Sequence, residues 1–230
     1  MLQKGDKKII TAWSFYDWAN SVYSLVITST IFPIYYLEVT KTEGSNQVHF
    51  LGRDYTNTTL YDFAMAIAFL IVAIISPLLS GIADYSGSKK RFMQFFCYLG
   101  SFSCAAMYFF TGLENLWIGI LTVILACIGY SGSIVFYNAF LPEIAEPRDH
   151  DRVSAKGFSM GYIGSGILLI LNLAMVMKPE LFGIPNAGIA TRISFLTVGL
   201  WWIAFAQITF YYLPNNVYGH KPEGHYLFNG

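Results

Sequence analysis

The stretch AWSFYDWANSVYSLVITSTIFPIYY, residues 12–36, decides the fold. Asp17 and Asn20 stand near its start, and Asp17 is its one charge. A helix needs roughly 20 mostly apolar residues to cross a hydrocarbon core of about 30 Å, and this run is long enough. A strand there would leave backbone groups unpaired in lipid, so the expected element is a helix. Working outward, five further runs share this character, and the six together cover about 11–38, 60–84, 92–112, 116–140, 157–177 and 191–213.

Composition agrees with an all-α integral membrane protein. Of 230 residues 55% are hydrophobic and 12% charged, about half the charged fraction of a soluble domain. The 14 basic and 14 acidic residues cancel, so nothing suggests a nucleic-acid partner. Cys97, Cys104 and Cys127 fall inside apolar runs without metal-ligand spacing, and no metal is expected. The chain has no GxxxxGK[ST] phosphate loop, and no cofactor is expected. The basic opening MLQKGDKKII precedes a run too long for a cleavable signal peptide and without a small-residue cleavage site, so the first span is expected to remain.

Lysine and arginine orient the spans. With the N-terminus inside, ten lie on the cytoplasmic side (Lys4, Lys7, Lys8, Lys89, Lys90, Arg91, Arg148, Arg152, Lys156, Lys221) and four outside (Lys41, Arg53, Lys178, Arg192). Both termini are therefore expected in the cytoplasm, and the sequon Asn57-Thr58-Thr59 outside.

At about 100° per residue, Ser14, Asp17, Ser21, Ser24 and Thr28 share an arc of about 80°. Lipid tolerates such a stripe poorly, so it should look toward protein or water. Tyr130, Ser133 and Tyr137 repeat the pattern in the fourth span, which makes spans one and four candidates to line a cavity. Asn20 joins the candidate set, although it lies off the stripe's centre and toward a neighbouring helix. Spans three and six carry many aromatics and read as outer, lipid-facing helices. Polar in one and four, aromatic in three and six, is what two inverted three-helix repeats would give. In the fifth span Gly157 and Gly161 form a GxxxG spacing suited to close helix packing, and Asn172, Gln94 and Gln207 read as interhelical hydrogen-bonding residues.

The loop SGIADYSGSKKRF, residues 80–92, resembles the signature loop of the major facilitator superfamily, G-x-x-x-D-x-x-G-R-K. Asp84, Gly87 and Lys89 fall on its acid, second glycine and final basic residue, while Ser80 and Ser88 depart from it. Residues 12–36 and FYNAFLPEIAEPRDHDRVSAKGFSMGYIGSG, residues 136–166, are similar to the unidentified-major-facilitator family, related to the vacuolar amino-acid effluxers of yeast autophagy.

The resemblance implies a secondary transporter rather than an enzyme, moving a small polar solute such as an amino acid across the bilayer by alternating access. It implies the N-terminal six-helix half of that fold: residues 1–213 as the bundle and 214–230 as the start of a cytoplasmic central linker. The remaining half, or a second copy, would be its partner. It further implies that Asp84, Gly87, Lys89, Lys90 and Arg91 form a conformational gating loop, and, from the bacterial members, the cell's inner (plasma) membrane.

Two readings of Asp17 stay open. Ser14 could be an N-cap with Asp17 in a variant capping box, or Asp17 could face the cavity and carry a proton or bind a cationic group. Arg152 and Lys156 are its nearest plausible mates. Two other functions compete: a non-transporting six-helix module, and an intramembrane aspartyl protease pairing Asp17 with Asp84. The second fits poorly, because Asp84 follows Gly81-Ile82-Ala83 rather than a Gly-x-Gly.

Overall fold

The computed structural model describes residues 4–42 and 44–215, the side chains of residues 82 and 84–86 excepted. Six helical rods are long and apolar enough to cross a membrane. The first comprises α1 (Lys7–Val22), a π-helical segment (Tyr23–Ile31) and α2 (Phe32–Val39). The others contain α3 (Asn57–Ser86), α4 (Lys89–Ala106), α5 (Leu116–Ile144), α6 (His150–Met177) and α7 (Ala187–Tyr212).

Apart from α5, each rod begins upstream of its apolar run, and in three of them a polar capping side chain sets where the helix starts. The Asp6 carboxylate accepts from the Lys8 and Ile9 amides, the Thr56 hydroxyl from Thr59 N, and the Asn186 side chain from Ile189 N. Gly87 closes α3 at φ +64°, a left-handed conformation that glycine adopts without steric cost.

Packing follows a pairwise pattern. Helix α1 lies along α6 and α7, helix α5 along α3 and α4, and α4 against α7. Exchanging spans one, two and three for spans four, five and six maps this set onto itself. Consecutive spans are antiparallel, so span four runs opposite to span one. The result is two inverted three-helix units that interdigitate rather than sit side by side, as the pattern of polar and aromatic spans suggested.

Close approach at the centre depends on small residues. A Cβ on Gly129 of α5 would sit 2.5 Å from the Gly100 Cα of α4, and one on Gly100 would meet the Trp202 ring of α7. Polar side chains then pin the first span to its neighbours through backbone carbonyls: Trp13 Nε1 to Tyr137 O (2.9 Å), Thr209 Oγ1 to Ala12 O (2.7 Å) and Trp201 Nε1 to Trp18 O (3.1 Å). Asn172 accepts from Thr197 and Gln207 from Tyr98, so two of the three isolated polar residues do join helices.

The aromatics of spans three and six divide between two environments, which corrects the expectation that these spans are outer helices. Phe96, Phe195, Trp202 and Phe210 are buried between helices, whereas Phe95, Phe102, Phe109 and Tyr211 point outward. The least covered rod is the second, where Phe63, Leu70, Ile74 and Leu78 are exposed. Aromatic content marks apolarity on every side and does not say which side meets lipid.

The first loop holds a hairpin that hydropathy did not reveal. Strands β1 (Gln47–Phe50) and β2 (Arg53–Thr56) pair antiparallel around Leu51-Gly52, both at positive φ, the geometry of a type I′ turn. Directly after it, Asn57 begins α3 with its side chain buried and its amide donating to Thr40 Oγ1. The acceptor asparagine of the sequon is therefore shielded within the fold, while Thr58 and Thr59 are exposed.

Candidate functional site

A cavity of about 420 Å³ opens between α1 with its π segment, α5 and α6. From the first span it is lined by Trp13, Asp17, Ser21, Ser24, Leu25 and Ser29. Helix α5 contributes Tyr130, Ile134, Tyr137 and Asn138, and α6 contributes Ser154, Phe158, Tyr162 and Ser165. Phe158 and Tyr162 are largely exposed, so the α6 side of the cavity is open.

Asp17 does not cap a helix. The N-cap is Asp6, α1 begins at Lys7, and the Ser14 hydroxyl donates back to Ile10 O from inside the helix. At about 1.5 Å per residue, Asp17 stands roughly 15 Å beyond the first helical residue. It is 6% exposed, and its Oδ2 accepts a 2.7 Å hydrogen bond from Tyr137 Oη. No ion pair reaches it among the described residues. The two expected mates are engaged elsewhere, Lys156 with Thr11 Oγ1 at 2.7 Å and Arg152 with Asp149 at 3.0 Å.

Glycines on α6 make room for this group. A Cβ on Gly157 would strike Asp17 Oδ2 and approach Tyr137 Oη to 2.9 Å; one on Gly161 would strike Ser21 Oγ. The GxxxG spacing thus packs α6 on α1 at the very level of the acid.

Of the eight candidate lining residues, the structure brings Asp17, Ser21, Ser24, Tyr130 and Tyr137 together around the cavity and sets Asn20, Thr28 and Ser133 away from it. The π segment explains Thr28. Phe32 N bonds back to Ile27 O, and the Ser29 and Thr30 hydroxyls donate to the carbonyls of Ser24 and Leu25, five residues earlier. This wider turn returns to the cavity face at Ser29, one residue past the position that an α-helical count selects.

Ser133 sits on the far edge of the α5 face, fully buried, with its hydroxyl on Tyr130 O at 2.8 Å. Asn20 is also fully buried, and neither end of its carboxamide has a hydrogen-bond partner among the described residues. It belongs to the bundle interior.

The α6 contribution escaped sequence reasoning, although a signal existed. Ser154, Phe158, Tyr162 and Ser165 share an arc of about 80° at helical spacing. Starting the fifth span at residue 157 rather than at His150 hid its first member.

At one end of the bundle the lysines that follow α3 are built in. Lys89 Nζ pairs with Glu143 Oε1 at 2.6 Å, both side chains nearly covered, and Lys90 Nζ donates to Leu213 O at 2.7 Å. Thus the start of α4 is tied to the ends of α5 and α7. Arg91 is exposed, and the Asp84 side chain lies outside the described residues.

Six spans in two inverted units around a polar cavity define a multi-pass membrane protein of the major-facilitator type. A family profile described as "Vacuole effluxer Atg22 like" matches residues 5–150 and 145–230, and the chain belongs to that family. It is 34% identical over 219 residues to YxiO of Bacillus subtilis (strain 168), an uncharacterized MFS-type transporter, covering 95% of this chain and 49% of that protein. It is 22% identical over 279 residues to autophagy-related protein 22 of Pyricularia oryzae, covering 86% and 40%. The chain spans about half the length of these curated relatives. No solved structure matches it significantly. The family is named for effluxers, not for enzymes, which removes the protease reading.

Proposed function

We propose that the protein is the N-terminal half of a secondary transporter that moves a small polar solute, such as an amino acid, by alternating access. The observation that carries this reading is the polar cavity at membrane depth, with Asp17, Ser21, Ser24, Tyr130 and Tyr137 on its walls. A groove open along α6 cannot enclose a solute. A second six-helix unit, joined beyond the central linker that starts at residue 214 or supplied by a second copy, completes the chamber. The chain lies in the inner (plasma) membrane with both termini in the cytoplasm. The loop from Asp84 to Arg91 closes that side, because Lys89 and Lys90 make spans three, four and six move together there.

Cysteine accessibility tests the cavity. With Cys97, Cys104 and Cys127 replaced, Ser24→Cys should react with a membrane-impermeant thiol reagent while Asn20→Cys stays protected. Should Ser24→Cys resist the reagent from both sides, the reading fails.

A further inference from the structure

We propose that this half of the transporter holds a protonated amine, with Asp17 as its counter-ion. The inference rests on the transport reading and narrows its substrate class. Among the described residues Asp17 is the one charged side chain on the cavity wall, where no lysine, arginine or histidine stands. Its hydrogen-bond donor is a neutral hydroxyl, that of Tyr137. A buried carboxylate so placed lacks positive charge, and keeping it ionised is costly unless an opposite charge arrives; otherwise it takes up a proton.

A solute ammonium supplies that charge. Its three N–H donors can reach the carboxylate in a charge-assisted bond, with the Ser21 hydroxyl one helical turn further along the same wall. Tyr130, Phe158 and Tyr162 offer aromatic surface to the solute's body and to the cation itself. A solute carboxylate would meet no cation on this wall and would feel repulsion from Asp17. The cavity's volume lies within the range of roughly 300–1,000 Å³ typical of small-molecule sites.

The test compares 2-phenylethylammonium with 3-phenylpropanoate, similar bodies of opposite charge, on the purified chain in lipid nanodiscs. The amine should bind at least tenfold more tightly, and Asp17→Asn should abolish the preference. That variant is isosteric, and its amide oxygen can still accept from Tyr137. The amine, and not the acid, should also slow labelling of Ser24→Cys, a readout that leaves Asp17 intact. Equal binding of the two probes, a preference that survives Asp17→Asn, or labelling indifferent to the amine would each overturn the proposal. If Ser24→Cys is labelled yet the amine gives no protection, the amine assignment falls while the transport reading stands.

Discussion

Replacing Gly129 by alanine tests whether the two three-helix units meet as closely as the fold shows. The added Cβ would lie 2.5 Å from Gly100 Cα and 2.8 Å from Phe96 O, both backbone atoms of α4. Carbon atoms in contact prefer about 3.5–4.0 Å, so α4 and α5 must separate by roughly 1 Å. Neither neighbour is a side chain that could rotate away. Overpacking costs typically 1–3 kcal/mol, and a backbone obstacle places this variant at the upper end, about 3 kcal/mol. Exchanging glycine for alanine inside a helix returns about 1 kcal/mol, leaving a net loss of about 2 kcal/mol.

For a chain of this size that corresponds to a fall in Tm of roughly 4–8 °C. Gly166→Ala is the internal control, since nothing lies within 4 Å of its added Cβ. It should melt at or slightly above the wild-type temperature, because it gains the same propensity without the clash. Thermal unfolding in detergent, followed by circular dichroism on both variants, measures the difference. If Gly129→Ala melts no lower than Gly166→Ala, the α4–α5 contact is looser than described and the interdigitated packing is wrong.

Other substitutions probe the site and its surroundings. Tyr137→Phe removes the hydrogen-bond donor of Asp17 and should cost about 1–3 kcal/mol; pairing it with Asp17→Leu in a double-mutant cycle should recover much of that loss, and full additivity would mean the bond contributes nothing. Asn20→Leu should raise thermal stability by about 1 kcal/mol, because both amide ends are buried without partners among the described residues; a lower Tm would instead reveal bound water satisfying them. Glu143→Leu removes the carboxylate that lies 2.6 Å from the covered Lys89 ammonium and should lower the Tm, so an unchanged Tm would refute a close ion pair. Expressed in a glycosylating host, the folded chain should gain no glycan at Asn57, whose amide is held by Thr40; mass spectrometry showing one would contradict that placement.

Sequence alone determined the class of protein and much of its site. Six apolar runs of spanning length admit little besides helices, since the bilayer offers the backbone no alternative hydrogen bonds. Counting at helical spacing found Asp17, Ser21 and Ser24 on one helix and Tyr130 and Tyr137 on another, because an α-helical register is a local property that the chain carries with it. Tertiary structure decided the rest. Whether Asp17 capped a helix or faced a cavity depended on Asp6, an upstream residue whose cap lets α1 begin before the apolar run.

Thr28 gave way to Ser29 because backbone bonds reaching five residues back put Tyr23–Ile31 in a π register, which no uniform angle per residue anticipates. Serine and aromatic residues on α6 entered the site only through the crossing of α6 on α1 at Gly157 and Gly161. Which helices meet, and at what depth, is a long-range matter of small residues fitting opposite one another. Periodicity within a single span does not contain that information.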